Sequence, residues 1–310
     1  MGASPTLPAG QQPNLLVIGA ARSGTTTLCD ALARHRDVFV TTPTEPHFLA
    51  NAEHPVTYRG PGDDISINRA LISDPANYRR LFVDADQHRY RADGSVSTLY
   101  RPLRSIPAIR AHATPDVRLI AILRNPVKRA FASYLHLRRR GFEHSPTFEQ
   151  ALELEERRIA GGYHHLWHLR GMSRYGAQLP AFAEAFGDRL LILIHEEYCR
   201  EPEATLDRVH RFLDLDPLAP LEAAVETVRG GAPRSDLLVS MMNGIRRAPV
   251  AHQLVRTATP RALREKGRPA EADRPSLDPV TEARLITDFR PDVAAVEQVL
   301  GRTIHDWRRR

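Results

Sequence analysis

Two cysteines in 310 residues leave this chain without a disulfide framework or a zinc-ligand spacing. Cys29 falls in a helix pattern and Cys199 near a strand end, so a reducing compartment, the cytoplasm, is expected. No apolar run approaches the ~20 residues of a membrane span, and the N-terminus lacks the basic-then-apolar order of a secretory signal. Residues 1–6 fit a loose myristoylation pattern without a second anchor, so no stable membrane insertion is expected. Zinc-finger spacing, RNA-recognition aromatics and a basic zipper are also missing, which argues against a specific nucleic-acid partner. Oligomeric state is not legible.

The net charge is +6 and the pI about 9.7, with arginine far exceeding lysine. Such a balance suits polyanionic ligands such as nucleotides or acidic sugars. Apolar strand candidates at 15–18, 38–40, 119–123 and 190–194 alternate with helix patterns. The helix patterns cover 26–33, 75–82, 106–112, 126–140, 147–158, 174–186, 202–213 and 279–300, several with proline in the first turn. The expectation is an α/β, P-loop-like three-layer fold, with a central mostly parallel sheet flanked by helices. Residues 1–13 read as a flexible tail and 14–310 as one domain, interrupted by irregular excursions at 51–74 and 233–278.

Residues 14–27, NLLVIGAARSGTTT, run an apolar strand into a turn bounded by Gly19 and Gly24. That is the glycine spacing of a nucleoside-triphosphate loop, in which a lysine reaches the β/γ oxygens and a hydroxyl ligates magnesium. Here Thr25 fills the lysine position, and the cation sits earlier, at Arg22, beside Ser23. Thr25, Thr26 and Thr27 open the helix, whose first N–H groups and dipole favour an anion. The loop therefore reads as an anion site without a metal-bridged triphosphate, although a glycine-containing turn with capping threonines would share the pattern. A second cation, Arg124, stands at the end of strand 119–123, before the helix opening at Pro126. Open α/β sheets bind ligands at that carboxyl edge, so two anion sites are expected on one rim.

With both loops in hand, the chain resembles the sulfotransferases that use 3′-phosphoadenosine 5′-phosphosulfate, in their bacterial and carbohydrate, heparan sulfotransferase-like branch. The G-x-x-[KR]-[SG]-G-T-T loop of that family is matched by Gly19 to Thr26, and its R-[ND]-P-x-x-R-A element by Arg124 to Ala130. Between them stands Glu45-Pro46-His47-Phe48, matching the E-x-H-F string of the carbohydrate branch. Further matches are Gly94, Ser97 and Tyr100, then Tyr175, Gln178 and Leu179, Pro233 to Ser235, and Leu300 to Trp307. The resemblance implies that the first loop holds the 5′-phosphosulfate and Arg124 the 3′-phosphate, with Tyr175 and Arg234 as further nucleotide contacts; Lys266 and Arg268 are weaker candidates. Two departures stand out. Ala132 occupies the usual place of the phosphate serine, and Ser133, the candidate nucleotide contact in its stead, stands one position later, rotated about 100° on the helix. Val96 stands where heparan-type relatives carry a lysine.

The implied activity is sulfuryl transfer from that donor, leaving 3′-phosphoadenosine 5′-phosphate, to a hydroxyl or amine of a carbohydrate, glycolipid or secondary metabolite. Glu45 is the expected general base, Arg22 the group that neutralises charge on the bridging oxygen, and His47 an acceptor-orienting group or substitute base. His164 and His168 stand at i and i+4, a spacing that suits two metal ligands, but no third ligand accompanies them and no metal is expected. Competing readings are a P-loop-type kinase, which would need lysine in place of Thr25, and a non-catalytic nucleotide- or polyanion-binding protein.

Overall fold

The computed structural model describes residues 11–52, 54–216 and 276–308. Pro233, Arg234, Ser235, Lys266, Arg268 and the excursion at 233–275 lie outside the described residues. Five strands, β1 (Leu15–Gly19), β2 (Val38–Val40), β3 (Tyr90–Asp93), β4 (Arg118–Leu123) and β5 (Leu190–Ile194), form one sheet in the order β2-β3-β1-β4-β5. Every pairing in it is parallel. The chain leaves β1 toward β2 and β3 on one side and places β4 and β5 on the other. Ligands of open α/β sheets sit where the order reverses in this way, outside the carboxyl ends of the central strands.

Alternation of side chains along each strand divides the core into two layers. Leu16, Ile18, Leu119, Ala121, Leu123 and Ile194 point to one face. There they meet α5 (Pro102–His112), α9 (Leu179–Phe186) and, through Val296, a C-terminal helix. Leu15, Val17, Ile120, Ile122 and Leu193 point to the other, against α1 (Thr25–Leu32) and α11 (Pro202–Leu213). A third cluster joins α6 (Pro126–Arg139) and α7 (Phe148–Glu153) to Leu285 and Phe289. The remaining helices are α2 (Ile67–Ala70), α3 (Pro75–Arg80), α4 (Ser97–Tyr100), α8 (Glu155–Ala160), α10 (His195–Arg200), α12 (Pro279–Asp288), α13 (Arg290–Leu300) and α14 (His305–Arg308).

Strand β3 was not expected, because Tyr-Arg-Ala-Asp carries no apolar run. Its polar members are nonetheless satisfied: Asp93 is buried and accepts from Tyr78 Oη at 2.7 Å and Ser95 N–H at 2.8 Å. Three expected helices are interrupted. The pattern at 147–158 breaks at Leu154, and that at 279–300 breaks at Phe289, before Pro291. The stretch expected to begin at 174 starts as a short 3₁₀ turn, Tyr175–Ala177, before α9. Proline one residue into the next helix suits a new first turn, where its missing N–H costs nothing. At the N-terminus, Gln12 and Pro13 are tied down by hydrogen bonds from Arg91 Nε and Thr114 N–H.

Candidate active site

β1 and β4 are neighbours in the sheet, so the turns leaving them meet at one edge. Gly19 ends β1 with φ 143°, and a Cβ there would lie 3.1 Å from Val96 C=O. Gly24 then takes φ 101° as the residue before α1, a conformation that side chains disfavour. It leaves α1 without a side-chain cap. The orphan N–H groups of that helix therefore face the turn with no protein oxygen assigned to them, beside buried Ser23 and Thr25. Thr27 is half-buried and Thr26 exposed.

The other helix at this edge is closed. Asn125 caps α6 through its side-chain oxygen, which accepts from Val127 N–H at 3.1 Å and Lys128 N–H at 3.2 Å. The candidate for the second anion site is therefore the Arg124 side chain, not the helix terminus behind it. Arg124 turns toward the first loop and donates from Nη1 to Arg22 C=O at 3.1 Å, while Tyr175 Oη donates to Arg124 C=O at 3.0 Å. Arg22 itself has φ 67°, an uncommon backbone for a residue with a side chain. Its guanidinium is held down to about 10 by burial and by the nearby charges of Arg139 and Arg124, and so remains a cation at neutral pH. Arg22 Nε and Arg124 Nε are buried without hydrogen-bond partners; Ser23 Oγ, beside Tyr175, also lacks a partner of good geometry. Unmatched donors on two adjacent guanidiniums, above an uncapped helix, fit a phosphate- or sulfate-bearing ligand.

Glu45 lies across this edge, on the segment after β2. Desolvation, reinforced by Asp93, raises its carboxyl to about 7, while Arg22 and a hydrogen bond from Val96 N–H act in the opposite direction. About a third of its side chain, 34%, still meets solvent. His47 faces it with Nε2 3.6 Å from Oε2. The backbone of His47 is left-handed, φ 54°, and is held on three sides. Its N–H donates to Ser95 Oγ at 2.9 Å, its C=O accepts from Asn51 Nδ2 at 2.8 Å, and Nδ1 meets Ser97 Oγ at 2.9 Å. Burial, with His164 nearby, drives its pKa down to about 3. The imidazole is thus neutral and a weak base at pH 7.

Ser133 is fully buried and donates to Leu166 C=O at 3.0 Å, so its hydroxyl is engaged away from the loop. Arg129 is equally buried and bonds Ser173 Oγ and Leu169 C=O. The histidines at 164, 165 and 168 do not converge. His164 pairs with Asp63, His168 lies between Tyr100 Oη and Tyr163 C=O, and His165 lies tilted beside His47. Among the described residues, no group of three or more His, Cys, Asp or Glu side chains is arranged to hold a metal ion. None of the described helices is long and apolar enough to cross a membrane.

One residue at the edge was missed. His195, the first residue after β5, donates from Nδ1 to Ser23 C=O at 2.8 Å and so supports the first loop. The rule that found Arg124, a polar residue at the carboxyl end of a parallel strand, applies to it equally.

Comparison with known proteins places this geometry. A family model described as Sulfotransferase family matches residues 13–220. The chain is 28% identical over 206 residues to human heparan sulfate glucosamine 3-O-sulfotransferase 3B1, covering 66% of this chain and 47% of that protein. For human heparan sulfate glucosamine 3-O-sulfotransferase 6 the figures are 27% over 205 residues, 66% and 52%. The chain thus spans about half the length of the curated relatives it matches. The crystal structure of a sulfotransferase from Alicyclobacillus acidocaldarius aligns with a TM-score of 0.73 at 27% identity, covering 96% of this chain and 99% of that one. With more than half its length matched by the family model and its sheet edge built as described, the chain belongs to the sulfotransferase family.

Proposed function

We propose that the protein transfers a sulfuryl group from 3′-phosphoadenosine 5′-phosphosulfate to a hydroxyl or amine of a carbohydrate, glycolipid or secondary metabolite. The observation that carries this reading is the facing of an uncapped α1, with Arg22 and Arg124 beside it, and a carboxyl raised to about 7 at Glu45. The family relationship to enzymes named for a glucosamine acceptor supports a glycan-like acceptor. The unpartnered Nε atoms of Arg22 and Arg124 are the groups that fit the donor's anionic ends.

When bound, the donor supplies an electrophilic sulfur and a nucleotide phosphate as leaving group. Arg22 and the first N–H groups of α1 neutralise charge that grows on the bridging oxygen as the sulfur–oxygen bond breaks. Arg124 holds the second phosphate and, through Arg22 C=O, fixes the loop. Glu45 takes the proton from the acceptor oxygen or nitrogen as that atom bonds to sulfur; a pKa near 7 suits a base working at neutral pH. His47, neutral and held by Ser95, Ser97 and Asn51, orients Glu45.

An acceptor screen with sulfur-labelled donor tests the activity, alongside calorimetric binding of 3′-phosphoadenosine 5′-phosphate. Nucleotide binding with labelled product supports the proposal; no nucleotide binding rejects it. Tight, salt-sensitive polynucleotide binding without sulfated product would favour a non-catalytic polyanion binder.

A further inference from the structure

Behind His47 lies a set of buried polar side chains that the chemistry above does not use. Asp63 and His164 are 0% and 4% exposed, and His164 Nδ1 stands 2.6 Å from Asp63 Oδ1. The other carboxylate oxygen of Asp63 accepts from Gly60 N–H at 2.8 Å and from His164 N–H at 3.2 Å. Arg59 N–H donates to Gly162 C=O at 3.0 Å, so the 51–74 excursion and the segment before α9 are joined by backbone as well. From this junction two routes lead to His47. The ring of His164 meets His165 edge-on at 5.3 Å, and His165 meets His47 at 5.2 Å. Tyr58, 6.1 Å from the His164 ring, donates to Asn51 Oδ1 at 3.2 Å, and Asn51 holds His47 C=O.

A left-handed backbone at a residue with a side chain persists only where surrounding contacts over-determine it. Ser95 and Ser97 restrain His47 from the β3 side. Asn51 restrains it from the opposite side, through the backbone C=O, and loss of that restraint would leave Ser97 as the hydrogen-bond partner of the ring. Asp63 is a rigid anchor: Oδ2 accepts from Gly60 on its own turn and from His164 across the junction, and releasing it would strand a carboxylate in a dry site.

We infer that Asp63 and His164 are positioning residues for transfer: their buried pair clamps the 51–74 excursion to the segment before α9 and, through His165 and Asn51, holds His47 against Glu45. The inference rests on the proposed role of Glu45. It extends the working site to a segment with no place in either nucleotide loop. Asp63 is a positioning residue only, since it is fully buried.

The test uses the full chain bound to 3′-phosphoadenosine 5′-phosphate. His164→Leu removes the pair, His164→Asn retains a donor at the position of Nδ1, and Asp63→Asn removes the charge without changing shape. Nitrogen-15 histidine spectra are recorded for each, together with nucleotide affinity, kcat and acceptor KM. Expected are a shifted His47 imidazole signal in His164→Leu, nucleotide affinity within about twofold, and kcat lower by about tenfold or more, as small misplacement of a reacting group allows. His164→Asn should recover most of that loss. Should His164→Leu fail to fold, Asp63→Asn carries the same expectations at smaller amplitude. A His47 signal that stays in place in a folded variant overturns the inference, whether or not an acceptor has been found. Unchanged kcat in a folded variant overturns it too. Absence of transfer by the unaltered protein would instead count against the proposed function.

Discussion

Arg124 Nη1 donates to the carbonyl oxygen of Arg22 at 3.1 Å, so the cation expected to bind one end of a nucleotide also braces the loop expected to bind the other. The two candidate anion-binding regions are therefore joined by a direct hydrogen bond. Charge-assisted hydrogen bonds contribute about 1.5–3 kcal/mol each, enough to dominate affinity at such an edge. Arg124→Ala is expected to lower affinity for 3′-phosphoadenosine 5′-phosphate by roughly ten- to a hundredfold. Calorimetry would read this directly, and an unchanged dissociation constant would remove Arg124 from the site.

Glu45 gives a pH prediction with a definite sign. In the proposed role Glu45 must be ionised to act as base, and its carboxyl is raised to about 7 by desolvation and Asp93. kcat/KM should rise with pH through that value to a plateau, and Glu45→Gln should abolish the limb while cutting turnover by about 10²–10⁴-fold. Nucleotide affinity should change little in that variant. A normal pH limb in Glu45→Gln assigns the titration to another group.

Asn125 supplies a stability prediction separable from chemistry. Its side chain closes the N-terminus of α6 through Val127 and Lys128. Asn125→Ala should cost about 1 kcal/mol, within the usual range for a lost cap. Urea unfolding would show a lower midpoint at unchanged slope.

The buried imidazoles predict acid sensitivity. His47, His165, His168 and His210 are each under 9% exposed, and each has its pKa pushed below the ordinary 6.5 chiefly by burial. The unfolded chain then binds more protons than the folded one as pH falls below 6.5, and stability is lost. Glu45 and Asp93 act oppositely, because their folded values are raised and their protonation relieves a cost. Four groups outweigh two, each imbalance amounting to at most about 1.4 kcal/mol per pH unit. Melting temperature should therefore drop between pH 6.5 and 5; a flat or rising profile would contradict this.

The sequence made the sheet legible wherever burial on both faces demands apolar residues. Val38–Val40 and Leu190–Ile194 were expected with the bounds observed, and β1 and β4 within a residue at one end. Strand β3 escaped because its polarity is satisfied by tertiary partners, Tyr78 for Asp93 and Gln12 for Arg91, that no local window contains. Arg22 and Arg124 were legible from strand ends. The left-handed φ of His47 was not, since it depends on Ser95, Ser97 and Asn51 arriving from other elements. Ser133, a nucleotide-contact candidate on sequence grounds, has its hydroxyl on Leu166 C=O, a partner that only the tertiary fold supplies.

Gly24 has a consequence for how the loop stays usable. Serine, threonine, asparagine or aspartate before a helix places its own oxygen on the second or third N–H. At position 24 such an oxygen would occupy the same hydrogens that a ligand's oxygens need, and the protein would compete with its ligand intramolecularly, at a high effective concentration. The bare α-carbon at Gly24 means that the loop carries no inhibitor of its own.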